Sequence, residues 1–209
     1  CVVYLAVDMF AGREEPGCGA EGLGLRQAHT WSDPSCDGSG TAIEHRPRIA
    51  DQRRRRGDWE GDTIHGPGCS GLVTLVDRKS RYTLIRRIAA RTAEATSRAI
   101  EQAAKGLEGL LKTLTVDNGR EFARHRQLSQ RLQMDVYFAP PYQSWRRGSN
   151  ENTNGLIRQY FPKRTNFHQV DAEQVLHVQD LLNHRPRKCL GWLTPHQVLV
   201  EGRRVRLQS

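Results

Sequence analysis

Three acidic residues sit in surroundings that carry geometric information: Asp62 in Gly57-Asp58-Trp59-Glu60-Gly61-Asp62, Asp117 in Thr115-Val116-Asp117-Asn118-Gly119, and Glu151 in Gly148-Ser149-Asn150-Glu151-Asn152. The first two close apparent strands and the third opens an apparent helix, so one edge of a sheet is able to gather all three. Carboxylates brought together repel one another and raise each other's pKa unless cations neutralise them. Mg²⁺ takes oxygen ligands, usually one or two carboxylates with waters and phosphates completing an octahedron, so three acids suffice for two ions. Such ions, roughly 3.5–4 Å apart, stabilise the attacking and leaving oxygens of an in-line displacement at phosphorus. The chemistry implied is metal-dependent cleavage or transfer of phosphodiesters.

Each acid also has an ordinary explanation. Asp117 in Asp-Asn-Gly suits a turn, where Asn and Gly tolerate positive φ. Glu151 in a first helical turn complements the macrodipole, worth roughly 0.3–1 kcal/mol. Asp62 is harder to account for, because aspartate is depleted in strands and expensive to bury unless it is paired or liganding a cation. Glu60 lies two residues earlier on the same strand face and competes for the same role, and a solvated edge carboxylate is the alternative for both.

The elements that must position these acids belong to a chain of 209 residues, enough for one cored domain plus an appendage. Lysine and arginine total 32 against 23 acids, a formal charge of +9 that points to a polyanionic partner, with nucleic acid the default. Arginine dominates those cations, which suits bidentate phosphate contacts, although a GC-rich coding sequence gives the same bias. Five scattered cysteines, odd in number and without a Cys-x-x-Cys pair, give neither a disulfide framework nor a zinc ribbon. His65, His168 and His177 lack zinc-ligand spacing. No apolar run approaches the roughly 20 residues that span a bilayer, and the start lacks the order of a secretory signal, so a cytoplasmic protein that avoids membranes is expected.

Residues 1–41 read as an irregular or disordered segment, Gly-rich and without period, open to explanation as a disrupted reading frame. Residues 42–209 read as the folded domain. The runs Arg46-Pro47-Arg48 and Arg53 to Arg56 have the look of solvated charge. Asp58 to Ile64, Gly71 to Asp77 and Tyr82 to Ile88 read as an antiparallel meander. Thr92 caps a helix whose apolar period runs to about Leu111. Lys112 to Val116 is a strand ending at Asp117, followed by a helix around 124–132 and a strand around 136–138. A loop with Trp145, suited to stacking on a base or to anchoring the loop, precedes a helix from Asn150 to Phe161 that Pro162 stops. A further helix spans about 172–183, and Thr194-Pro195 caps a last one. The fold class is α/β: a mixed five-stranded sheet with helices on both faces. Asp62 and Asp117 become neighbours if their strands pair in parallel.

The pattern resembles the catalytic core of bacterial insertion-sequence transposases of the IS-thirty family over about residues 42–200. The residues that carry the likeness are Trp59-Glu60-Gly61-Asp62, Thr74 to Tyr82, Asp117-Asn118-Gly119, Trp145 to Leu156, Arg158 to Lys163, Asn183 to Lys188, and Gly191-Trp192 with Thr194-Pro195. The resemblance implies a ribonuclease H-like, integrase-like fold and an Asp, Asp, Glu triad matched here by Asp62, Asp117 and Glu151, holding two Mg²⁺ or Mn²⁺ ions. The 33 residues between Asp117 and Glu151 agree with the compact spacing of that group. It implies cleavage of transposon ends and strand transfer into target DNA, double-stranded DNA as partner, and a homo-oligomer on that DNA. Arg146, Arg147, Asn152, Asn154, Arg158, Lys163 and Arg164 are the expected DNA contacts, with a helix-surface role open for the two asparagines. Family members carry an amino-terminal helix-turn-helix, and residues 1–40 have no such pattern. A non-catalytic DNA-binding remnant is the alternative, and a nuclease that cuts without joining is a third reading.

Overall fold

The computed structural model describes residues 41–140 and 148–203. Its centre is a mixed sheet of β1 (Thr41–Ala42), β2 (Asp58–His65), β3 (Gly71–Asp77), β4 (Thr83–Ile88), β5 (Thr113–Val116) and β6 (Asp135–Phe138) in the order β1-β6-β5-β2-β3-β4. The meander β2-β3-β4 is antiparallel, while β5 joins β2, β6 joins β5 and β1 joins β6 in parallel. Six strands stand where the sequence pattern gives five. The extra one is two residues long, too short to carry an alternating signal, and its Thr41 lies in the span expected to be irregular. The rest of that span lies outside the described residues.

Alternation along β2 divides the protein into two cores. Trp59 shares one face with Val73, Leu75, Leu84, Leu114 and Val116, packed against Ala99, Ile100 and Ala103 of α2 (Ala93–Ala104) and Leu128 of α3 (His125–Leu132). Position 61 falls on this face by alternation and is glycine where a Cβ would stand only 2.9 Å from a Val116 methyl. The opposite face places Ile64, Leu72 and Ile85 against Ile157 and Phe161, at α4 (Gly148–Tyr160) and just beyond it, and against Val175, Val178 and Leu182 of α5 (Ala172–His184). Burying each such aliphatic side chain contributes about 1.5–3 kcal/mol. The face that receives α4 is the one on which Asp58, Glu60 and Asp62 point.

The Thr92 side chain accepts from Ala95 N and starts α2 as expected, but the helix ends at Ala104 rather than near Leu111. Gly106 and Gly109, at φ +81° and +80°, turn the backbone left-handed and stop it. Leu107, Leu110 and Leu111 still pack on the core as a turn, so the apolar period reported burial correctly and conformation wrongly. The Thr194 capping box, with Pro195 at the first position, opens α6 (Pro195–Leu199). A four-residue helix, α1 (Arg48–Asp51), was not foreseen.

The arginine runs expected to be solvated are largely tied down. Arg46 is buried, pairing with Asp51 and donating to Thr115 Oγ1 at 2.8 Å. Arg55 forks onto Asp58 at 2.9–3.1 Å, and Arg56 donates to the Leu199 carbonyl at 2.6 Å. At the far edge, Asn183 of α5 pairs both amide groups with the backbone N–H and C=O of Thr83, each at 2.8 Å, and Gln179 accepts from Ile85 N at 2.9 Å. These amides satisfy the outer backbone of β4, which would otherwise present a bare edge.

Candidate active site

Pairing of β2 with β5 matches Asp58 to Thr113, Trp59 to Leu114 and Glu60 to Thr115. Extended two residues past the last pair, this register brings Asp62 level with Asp117, which directly follows the end of β5, beside strands that pair about 4.8 Å apart. Both are half-buried. The parallel pairing of β2 with β5 is the arrangement expected to make Asp62 and Asp117 neighbours.

Asp62 is held on three sides. Its Oδ1 accepts from Thr63 N at 2.9 Å, and its Oδ2 accepts from the Asn154 side-chain amide at 2.7 Å. Thr74, directly across the β2/β3 ladder from Asp62, turns its hydroxyl toward the Asp62 carbonyl at 3.3 Å and Asn154 Oδ1 at 3.4 Å. The threonine therefore favours the Asn154 orientation in which the amide nitrogen faces the carboxylate. Asp117, just past β5, accepts from Gly119 N at 3.2 Å through Oδ1, a turn that fixes its side chain.

Glu60, the rival of Asp62, has a different task. It is fully buried, its Oε1 is paired with Arg78, and its Oε2 accepts from Ser149 N at 3.1 Å and Asn150 N at 3.2 Å. Those amides are unpaired donors of the first turn of α4, where the helix dipole favours an anion. Burial pushes the Arg78 guanidinium down from its ordinary pKa while the charge of Glu60 pulls it back up. Glu60 thus seats α4 on the sheet, and Asp62 is the acid of this pair that faces the open end.

Glu151 is exposed, three residues before Asn154. Helical neighbours at that spacing have Cβ atoms about 5–6 Å apart. Through Asn154, the helix that carries Glu151 is therefore bonded to Asp62. Glu151 borders an open groove of about 570 Å³ with Gly148, Asn152, Gly155, Leu156 and Gln159. Among the described residues no three His, Cys, Asp or Glu side chains close on a common metal position. The donors at this end are nonetheless carboxylate oxygens beside solvent, the set that a hard divalent cation takes.

Glu121 was missed by the sequence reading. Its carboxylate accepts from Thr63 Oγ1 at 3.1 Å, and a Cβ on Gly119 would stand 2.5 Å from Glu121 Oε2 and 2.9 Å from Asp117 Oδ1. The available signal was a further acid two residues beyond the Asp-Asn-Gly turn. Of the expected DNA contacts, Asn154 is on Asp62, and Asn152 lines a cavity with Arg53 and Arg81. Arg158 donates to the His65 carbonyl at 2.8 Å, while Lys163 and Arg164 are exposed. Arg146, Arg147 and Trp145 lie outside the described residues.

Residues 52–144 match the integrase core domain family. The transposase of insertion sequence element IS4351 from Bacteroides fragilis is 43% identical over 74% of this chain and 48% of its own length. For the transposase InsI of element IS30A from Escherichia coli the values are 44%, 78% and 43%, and for that of IS1086 from Cupriavidus metallidurans 40%, 85% and 55%. The chain thus spans about half the length of the curated relatives it matches. Among solved structures, a chain of the simian T-cell lymphotropic virus intasome superposes with a TM-score of 0.57 at 22% identity, covering 74% of this chain and 59% of that one. The catalytic core of BIV integrase gives 0.54 at 20%, covering 71% and 96%. These likenesses identify the fold as ribonuclease H-like. Residues 52–144 are thus similar to the integrase core domain, and the chain is 40–44% identical to IS30-family transposases over most of its length.

Proposed function

Taking the chain as a relative of the IS30-family transposases, we propose that it is a transposase catalytic core that cleaves transposon ends and transfers the freed strand into target DNA. The reading rests above all on the parallel β2/β5 register that levels Asp62 with Asp117, with Asn154 bonding Asp62 to the helix of Glu151. Asp62, Asp117 and Glu151 are the residues that would hold two Mg²⁺ or Mn²⁺ ions, and the half-exposed Glu121 stands beside Asp117. When bound, the ions supply charge stabilisation for an in-line displacement at phosphorus.

The chain's own residues supply placement. Asn154 and Thr63 N hold both oxygens of Asp62, so its rotamer is set before substrate arrives. Glu60 and Arg78 fix the first turn of α4 and with it the height of Glu151 above the sheet. Arg158 on the same helix and the exposed Lys163 and Arg164 after it, with Arg146 and Arg147, attract and position the phosphate backbone of double-stranded DNA. Water attacks the phosphodiester at the end of the element and its P–O3′ bond breaks to free a 3′-hydroxyl; that hydroxyl then attacks a target phosphodiester, which gives up its own 3′-oxygen as leaving group. The working form is a homo-oligomer on DNA in the bacterial cytoplasm. No helix among the described residues is long and apolar enough to cross a membrane.

The test is nicking and joining of DNA that carries the element's terminal repeats, with and without divalent metal. Product should require Mg²⁺ or Mn²⁺. Asp117→Asn should lower the rate at least about 100-fold, since even partners one step removed from a metal typically cost 10–100-fold. Full activity in Asp117→Asn refutes the assignment, and cleavage without joining reduces it to a nuclease.

A further inference from the structure

A second site lies at the start of α4. A cavity of about 350 Å³ opens there, lined by Arg53, Arg81, Gly148, Asn152, Arg187 and Cys189, with no acidic residue in its wall among the described residues. Neighbouring arginines of this end are committed: Arg46 to Asp51, Arg55 to Asp58, Arg78 to Glu60, and Arg56 to the Leu199 carbonyl. Among the described residues, Arg53, Arg81 and Arg187 make no ion pair. Arg81 donates to Ser149 Oγ, and Arg187 donates to the Leu182 carbonyl at 3.3 Å. Arg187 Nε is buried without a partner.

Three guanidinium groups around one hollow repel each other, and each keeps N–H donors free. Burial and the charge of Arg81 push the Arg53 guanidinium below its usual range, and burial and Arg185 do the same to Arg187. An anion in the hollow reverses that repulsion. Phosphate fits the donors best, because guanidinium forks match its oxygens in pairs. Gly148 and Asn152 also border the groove on which Glu151 sits, so hollow and groove are continuous along α4.

We infer that Arg53, Arg81 and Arg187 form a pocket for one backbone phosphate of the nucleic-acid strand that runs through the Glu151 groove, fixing the strand's register relative to the reacting phosphodiester. The inference rests on the DNA-processing reading and deepens it. None of these three arginines was among the DNA contacts expected from sequence.

The experiment measures binding of a labelled DNA duplex by fluorescence polarisation over a range of salt, for the parent protein, Arg53→Asn, Arg187→Gln and the double variant. Arg53 is exposed, and asparagine suits its left-handed backbone at φ +54°, so Arg53→Asn retains the fold. Arg98→Gln, on the helix packed against the other face, is the control. Loss of one phosphate contact lowers the slope of log affinity against log salt by about 0.9. That drop is expected in the double variant and is absent from Arg98→Gln. A steep parent slope left unchanged by the pocket variants overturns the pocket while the DNA reading stands. A flat parent slope overturns both. Thermal stabilisation by inorganic phosphate that Arg53→Asn abolishes, without any change in DNA binding, would make the hollow a free-phosphate site and likewise overturn the assignment to a strand.

Discussion

Replacing Glu60 by glutamine removes one charge and leaves the shape. In the folded protein that charge faces Arg78 on one oxygen and two first-turn amides of α4 on the other, and its side chain has no exposure to water. The Arg78 guanidinium, 5% exposed, would then sit in the interior without its counter-ion. Removing one member of such a pair typically costs about 3–5 kcal/mol. Hydrogen bonds to the charged acceptor, worth about 1.5–3 kcal/mol, also fall to the neutral range of about 0.5–1.5. Against a total stability of about 5–15 kcal/mol this is a large share. With a urea m-value of about 2–3 kcal/mol/M, a loss of that size lowers the unfolding midpoint by about 1–2.5 M. Urea titration followed by circular dichroism measures it. A cycle with Glu60→Met, Arg78→Met and the double variant separates the pair from the helix contacts, and the double should lose less than the sum of the singles by about 0.5–3 kcal/mol. A midpoint for Glu60→Gln within about 0.3 M of the parent would refute the reasoning and return Glu60 to contention as a metal ligand.

Asn183→Ala strips two hydrogen bonds from the backbone of Thr83 and should cost about 2–4 kcal/mol, with faster amide exchange at Thr83 and Ile85; unchanged exchange there would show that the side chain does not hold the edge. Asp77 offers a test in pH. Burial raises its carboxyl above the usual aspartate range, against the opposing hydrogen bonds from Ser80 and the Gly57 N–H. The folded state therefore binds this proton more tightly than the unfolded chain. Its contribution is complete below the unfolded aspartate value and is lost as pH rises through the raised folded one. The stability of the parent relative to Asp77→Asn should accordingly shrink as pH rises from about 4, and a difference that grows instead contradicts the assignment.

Local patterns made most of the elements legible. The β-branched and aromatic content of β2 to β4, the Thr92 cap and the Thr194-Pro195 cap all reported what the backbone does, because each depends on residues within one turn of itself. Asp117 was legible just past the end of β5 for the same reason, whereas Asp62, expected to close its strand, lies inside β2, which runs on to His65. What the chain text did not disclose were contacts between distant segments. Arg46 meets Thr115 across 69 residues, so a run that looks like solvated charge is in part interior structure. Glu60 and Asp62 look equivalent from sequence, since they share a face two residues apart. They are told apart only by the start of α4, about 90 residues later, whose amides reach one and whose Asn154 reaches the other. The end of α2 failed for a local reason, two glycines whose left-handed backbone outweighed a continuing apolar period. Glu121 escaped notice because its spacing has no helical or strand meaning, and only the turn at Gly119 brings it beside Asp117.

The bond from Arg56 to Leu199 joins residues 143 apart. Loop closure of that span has an entropic cost that must be met before the contact returns anything, and topologies dominated by such pairings fold slowly. A ribosome that has not yet reached Leu199 holds a sheet in which this fastening is still to be made. Products released before Leu199 lack the carbonyl that Arg56 grips, so this fastening of the fold forms only once Leu199 has been made.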